Sequence, residues 1–571
     1  MFQDKIWPYF MKVYEHQLSV ILVGKRPVWI LGGMIGLFFF TIFLTGIVKP
    51  KVLFFPNNDP NNIFVYIKMP GGTHQNVTDS ITNIAEQRVY KALGKHNPDV
   101  ESIISNVTIG AEEQGFASTG NPFNKGKVSI NFIESKLRST GISTTKYMEI
   151  VRKEVADIPG AEITVDKNRN GPPTGKPINI EITSQNLENL VSDANAFRGH
   201  LDSMHIPGIE NLKTDFELNS PEINIQIDRD RAQRLGLSTG QIGMEIRTAL
   251  YGKEISKLKQ DEDEYSIMLR YNNVTRDNIN ALVNLLITYR DMNSGQLRSI
   301  PLSTVATVDY TTSYAGIKRQ DQKRIITLYS NLLSGYSAND IVPLIKAEAG
   351  KFHFQEGTNV KLTGEQEDQA ETSIFLMKAM IIALGVIFFI LITQFGSVSK
   401  SLIILSEVIF SIIGVLLGVM IFHMDLVIMM TGLGVVALGG IVVRNGILIV
   451  EFIDVKKKEG LRTRRAIIEG GKTRITPVIL TATATMLGLV PLAVGMNINF
   501  QTMFTQLNPH IYFGGDNVAF WGPLAWSIIF GLSFATFLTL MFVPALYELD
   551  YTIKLKMARR KNLKMIGKKS R

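Results

Sequence analysis

Six apolar runs interrupt a chain that is otherwise polar or alternating, at about 27–48, 374–394, 401–422, 426–452, 477–497 and 521–547. Each reaches the roughly 20 residues that a helix needs to cross a hydrocarbon layer about 30 Å thick. The first is too long for a signal-peptide core and lacks a small-residue cleavage site, so it reads as a retained span. Between the first and second runs the hydrophobic period switches between two and 3.6. Ile63–Met69 predicts a strand, Thr78–Leu93 a helix opened by an Asn or Thr cap, Ser102–Ile109 and Lys127–Ile133 two strands, Thr144–Ile158 a helix and Ala161–Asp166 a strand. This is the β-α-β-β-α-β order of a ferredoxin-like unit.

A second unit starts at Pro177 with strand Ile178–Thr183, helix Leu187–Met204 and a strand near Leu212–Phe216. Its remaining elements, Lys323–Ser330, Ala338–Phe352 and Asn359–Thr363, come only after an inserted α+β stretch at 221–312. Gly171-Pro172-Pro173-Thr174-Gly175 has the turn chemistry of a hinge between the units. The expected division is therefore an interfacial segment at 1–26, a first span at 27–48 and a first external subdomain at 51–170. A second subdomain at 171–220 and 313–366 carries the insertion 221–312, spans 2 to 6 occupy 374–547, and 548–571 is a basic tail.

Positive residues fix the orientation, because short cytoplasmic loops collect them. Lys5, Lys12, Lys25 and Arg26 precede span 1, Lys400 lies between spans 2 and 3, and Lys456, Lys457, Lys458, Arg462, Arg464 and Arg465 lie between spans 4 and 5. The opposite loops, 423–425 and 498–520, contain no Lys or Arg. Both termini are expected in the cytoplasm and residues 50–370 outside it. Aromatic residues Trp7, Tyr9, Phe10 and Tyr14 among basic and polar ones predict an interfacial helix on the lipid bilayer. The net charge of +9 invites a nucleic-acid partner, but the cations crowd beside spans instead of interleaving with stacking aromatics, so none is expected. With no cysteine and eight histidines lacking ligand spacing, neither thiolate chemistry nor a zinc motif is present. The run Gly120–Lys127 has one residue too many for a Walker A loop and continues with Val128, which argues against ATP hydrolysis. No cofactor is implied.

Several motifs together resemble the resistance-nodulation-division (RND) transporters, specifically the C-terminal half of a hydrophobe and amphiphile (multidrug) exporter. They are the run Gly439 to Phe452, Glu459-Gly460, Arg474-Ile475-Thr476-Pro477 through Thr481, Gly364-Glu365-Gln366-Glu367, Gln394-Phe395-Gly396-Ser397, and Ala232 to Ser238. The resemblance covers nearly the whole chain. It implies paired porter subdomains with an inserted docking subdomain, in a multi-pass protein of the bacterial inner membrane with a periplasmic domain. It also implies proton antiport rather than enzymatic turnover. Expected partners are a companion first half, a periplasmic adaptor protein and an outer-membrane channel, in a trimeric assembly. Alternatives are metal-ion export within the same family, ranked lower on the Pro172-Pro173-Thr174-Gly175-Lys176-Pro177 run, and a non-transporting assembly subunit or truncation product.

The resemblance places the family's proton-binding aspartates in the other half, and at the matching position here stand Arg444 and Asn445, with Arg where the family often has Lys. Ionisable groups within spans cost about 2.5–3.5 kcal/mol on insertion scales, so each needs a reason. Arg444 lies about nine residues, roughly 13 Å, from the inner end of span 4. Its side chain tilts toward the helix N-terminus, deeper into the bilayer, which disfavours snorkelling. Two readings stay open: an arginine satisfied by carbonyls, and an electrostatic partner of buried carboxylates. Intramembrane charge favours the second. Glu407 runs the other way, so snorkelling or a neutral state accounts for it, and it remains a minor proton-site candidate. Thr481 and Arg474 match the family's relay threonine and arginine, although a threonine in a span also bonds its own preceding turn. Outside the membrane, Phe116 and Phe123 in the Gly-rich loop 109–126 are candidate substrate contacts.

Overall fold

The computed structural model describes residues 6–569 apart from 57–58, 114–121, 134–137, 169–174, 218–219, 277, 291–294, 315 and 334. Among these, six helices are long and apolar enough to cross a membrane. Spans 1 to 5 are Arg26–Val48, Glu365–Phe395, Val398–Ile421, Ile428–Lys458 and Thr463–Val494. Span 6 opens as Asp516–Phe537, widens into a π-helical turn at Leu538–Phe542 and continues as Val543–Lys569. The basic tail expected after residue 547 is thus the same helix prolonged. Lys, Arg, Leu and Met are good helix formers, so nothing in that stretch stops it.

Spans 3, 4 and 6 form the centre of the membrane body, with Ile404, Ile413, Leu438, Val442, Leu532 and Leu538 fully buried among them. Close approach there depends on glycine. A Cβ at Gly418 would stand 2.2 Å from Phe530 Cδ2, and one at Gly414 would stand 2.5 Å from Phe534 Cβ. This pair therefore serves packing within the chain. Gly32 and Gly36 of span 1 have open space beside them. The interfacial helix Trp7–Ile21 buries Tyr14 and Leu18 against Gly471 of span 5, and Glu15 pairs with Lys472 at 3.0 Å.

Outside the membrane the first sheet places Asn62–Lys68 between Lys125–Phe132 and Glu162–Lys167, with Val100–Val107 at the edge and every pairing antiparallel. Helices Gln75–Leu93 and Thr144–Val155 bury Ala85, Val89, Val151 and Val155 against Ile63, Val65, Val128 and Ile130. The first helix is capped by neither Asn nor Thr: His74 Nδ1 accepts from the Asn76 amide. The second sheet has Ile178–Ser184 between Lys323–Ser330 and Asn359–Leu362. Ile178, Ile180 and Ile182 alternate inward against Phe197 and Leu201 of helix Leu187–Ser203. The insertion leaves and returns on Ser220–Ile227 and Ala306–Ser313, which pair antiparallel. It also carries the hairpin Lys253–Gln260 and Asp263–Leu269, exposed at every position.

Ion pairs hold the two sheets together. Buried Lys176 places Nζ 2.5 Å from Glu113 and 2.6 Å from Asp166, and half-buried Arg152 lies 2.8 Å from Glu210. Removing both carboxylates of Lys176 would leave a buried ammonium uncompensated, which is strongly destabilising. Two short contacts join this body to the membrane. Val52–Leu53, just past span 1, pairs in parallel with Leu426–Val427 ahead of span 4, and Asn339 Nδ2 donates to Val52 O at 2.9 Å.

Gly418→Val should lower the thermal midpoint of the detergent-solubilised chain, by the roughly 1–3 kcal/mol typical of overpacking. Gly32→Val, with nothing within 4 Å of the added carbon, should leave it in place.

Candidate proton-coupling site

Span 4 divides into two faces. Leu433, Ala437, Gly440 and Arg444 recur every three or four residues, Glu451 follows two turns on, and all five are exposed, so they share one side of the helix. Arg444 makes no hydrogen bond to a carbonyl and no ion pair among the described residues, which removes the carbonyl-satisfied reading. Its neighbour Asn445 turns inward and is 1% exposed. Thr481 of span 5 reaches it only loosely: its hydroxyl lies 3.5 Å from Asn445 Oδ1 and 3.1 Å from the Val478 carbonyl. With one proton to donate, the shorter bond to its own helix takes precedence. Arg474 lies seven residues before Thr481, about 10 Å along the axis. Its guanidinium sits 4.5 Å from the ring centre of Phe452, a cation–π contact, while Nε has no hydrogen-bond partner.

Glu407 belongs to a different place. Gly446 follows Arg444 by two residues, which at 100° per residue puts it on the far side of span 4, and it is Gly446 that Glu407 faces. The carboxyl is fully buried and accepts a hydrogen bond from Thr539 in the π-helical turn. It does not snorkel, because span 6 supplies that partner and encloses it. The structure thus brings Asn445 to Thr481 and Glu407 to Thr539, and brings neither pair to Arg444.

Phe123 is 47% exposed in the short turn Pro122–Asn124, whose carbonyl at 123 accepts from Thr78 at 2.8 Å. Phe116 lies outside the described residues. A cavity of about 520 Å³ opens between the two external units, lined by Phe54, Phe55, Met148, Arg152 and Tyr336 among others. Phe123 is not part of it. The Phe54-Phe55-Pro56 run falls within the expected first external subdomain at 51–170 but is not among the candidate contacts read from the sequence, though aromatics beside a proline just past a span are a signal. No group of three or more His, Cys, Asp or Glu side chains suited to a metal ion occurs among the described residues.

The sequence that builds this helical membrane body and its two external sheets matches a transporter family model. That model, the AcrB/AcrD/AcrF family, covers residues 4–549. The chain belongs to that family. Members of this RND family are secondary active transporters, not enzymes. The cobalt-zinc-cadmium resistance protein CzcA of Cupriavidus metallidurans is 27% identical over 349 residues, 61% of this chain and 31% of the relative. The swarming motility protein SwrC of Bacillus subtilis is 25% identical over 60% of this chain and 30% of its own length. Protein HelA of Legionella pneumophila is 24% identical over 64% and 33%. The aligned stretch spans about a third of these relatives. The crystal structure of a heavy metal efflux pump has the same fold over 96% of this chain and 53% of its own, with a TM-score of 0.71 and 21% identity.

Because this family member contains no cysteine, single cysteines report the two faces of span 4. In the purified chain Arg444→Cys should react with a small thiosulfonate reagent, while Val442→Cys, at 0% exposure, stays unmodified. Equal labelling of both would reverse the assignment of faces.

Proposed function

We propose that this chain is the C-terminal half of a proton-driven RND exporter, working in the bacterial inner membrane with both termini cytoplasmic and the two sheets periplasmic. The observation that carries the reading is Arg444: a permanent cation without a partner among the described residues, on a face of span 4 that also exposes Ala437 and Gly440. A charge left bare in hydrocarbon costs a few kcal/mol, and small residues let another helix come close. That face suits a helix bearing carboxylates, supplied by a companion half. Arg stays protonated, so Arg444 stabilises or releases a carboxylate and does not itself carry the proton. Asn445, Thr481 and Arg474, set apart from that face, are assigned as polar relay positions. The two sheets act as ferredoxin-like porter subdomains, the insertion as a docking subdomain, and the assembly as a trimer with a periplasmic adaptor and an outer-membrane channel.

For cargo we favour metal cations over amphiphiles. The support is the likeness to the cobalt-zinc-cadmium resistance protein CzcA and to a second relative from an Alcaligenes species, the cation efflux system protein CzcA, also 27% identical. Amphiphile export is a second reading, supported by the aromatic lining of the cavity at Phe54, Phe55 and Tyr336 and by the exposed ring of Phe123.

The deciding experiment co-expresses the chain with its companion half in an efflux-deficient host and follows retained cobalt, zinc and cadmium beside a fluorescent amphiphile. Metal export is expected to fall at least about tenfold in Arg444→Ala, the equivalent of ~1.4 kcal/mol, and to survive in Arg444→Lys. Export of the dye alone would favour the second reading. Equal export by wild type and Arg444→Ala would remove Arg444 from the mechanism.

A further inference from the structure

Glu407 stands nine residues into span 3, about 14 Å from its cytoplasmic end, and is 0% exposed. Its two oxygens have different surroundings. Oε1 meets the hydroxyl of Thr539. Oε2 has no hydrogen-bond partner and rests against the bare backbone of Gly446, where a Cβ would stand 2.7 Å away. The Thr539 hydroxyl also lies 2.9 Å from the carbonyl of Ala535, one turn back. It has a single proton and two acceptors within reach, so it can donate to only one of them at a time.

Two hydrogen-bond patterns therefore fit the same heavy-atom positions. With Glu407 ionised, Thr539 donates to Oε1 and the Ala535 carbonyl keeps only its backbone donor, the amide of Leu538. With Glu407 protonated, its O–H donates to Thr539 Oγ1, and the threonine proton turns to Ala535. One proton is taken up, no other bond is made or broken, and the hydroxyl reverses its direction.

Thr539 sits in the π-helical turn Leu538–Phe542, a wide turn that recurs at functional sites in helices. The next carbonyl in that turn, Leu540 O, accepts from the hydroxyl of Tyr14 at 3.0 Å. Tyr14 belongs to the interfacial helix, which Glu15 and Lys472 pin to span 5. A buried carboxyl in the membrane and a helix on its cytoplasmic surface thus share one irregular turn.

Other charges stay away from this point. Span 1 has no titratable residue between Arg26 and Lys49, and Lys378 of span 2 is exposed towards its outer end. On span 4, Arg444 and Glu451 lie on the exposed face, while Asp454 is bound by Lys400 and Tyr547 at 2.6 Å each. On span 6, Glu548 pairs with Arg464 at 2.9 Å. None of these is bonded to Glu407.

We propose that Glu407 is a proton-binding site internal to this half, separate from the Arg444 face, and that Thr539 and the π-helical turn transmit its protonation to Tyr14 of the interfacial helix. Its use in transport rests on the exporter reading above; the titration does not.

The test is a set of infrared difference spectra, acid minus neutral, of the purified full chain in lipid nanodiscs. Wild type should show the carbonyl band of an undissociated carboxylic acid, lost in Glu407→Gln and displaced in frequency in Thr539→Val. A tyrosine band should change in the same titration and disappear in both Tyr14→Phe and Glu407→Gln. Superimposable spectra for wild type and Glu407→Gln would overturn the site. A carboxyl band without the tyrosine change would overturn the coupling. Failure of efflux with the bands intact would sink the exporter reading alone, whereas efflux without the bands would sink the switch and leave the exporter.

Discussion

Hydrocarbon offers no hydrogen bonds, so every polar group within the spans needs a partner in protein. This constraint sorts the intramembrane residues. Ser and Thr hydroxyls largely turn back on their own helices, as Thr41 does on Leu37 O at 2.8 Å and Ser411 on Val408 O at 2.7 Å. Glu407 is too far from water for that and instead finds Thr539 across the helix interface. Arg444 is on the outer surface of the bundle, with no hydrogen bond or ion pair among the described residues. Packing at the centre follows the same logic: Gly414, Gly418 and Gly446 remove side chains where a phenylalanine or a carboxyl must fit.

Outside the membrane the balance differs. The two sheets each bury a complete apolar face and stand as separate cores, so what joins them is charged: Lys176 with Glu113 and Asp166, and Arg152 with Glu210. Ion pairs of this kind are poor stabilisers compared with packed apolar contacts, but they tolerate only one register. The cavity beside Phe54 and Tyr336 opens where this charged seam gives way to aromatic side chains.

Much of this was legible in the sequence. Apolar length alone gave the six spans, and the change of period from two to 3.6 gave the first sheet and its helices in order. Charges stranded in apolar runs pointed to Arg444 and Glu407, and the family resemblance to Asn445, Thr481 and Arg474. Their partners were not legible, because contacts across a fold leave no local pattern. Thr539 is 132 residues from Glu407, and Leu540 is 526 from Tyr14. The π-helical turn has no composition of its own; Leu-Thr-Leu-Met-Phe reads as ordinary span. The basic residues after 547 close the apolar run while the helix continues through them to Lys569, because charge ends a membrane crossing without ending a helix. Phe116 cannot be compared, since it lies outside the described residues.

The two-residue bridge of Val52–Leu53 with Leu426–Val427 gives the protein a lever. Those strands are too short to store much energy, yet they bind the root of the external body to the outer end of the helix that carries Arg444. Ile428 and Arg444 are sixteen residues apart, about 24 Å of stiff helix. A tilt of the external body at this bridge therefore reaches the middle of the bilayer as a displacement of the guanidinium, with no flexible joint between to absorb it.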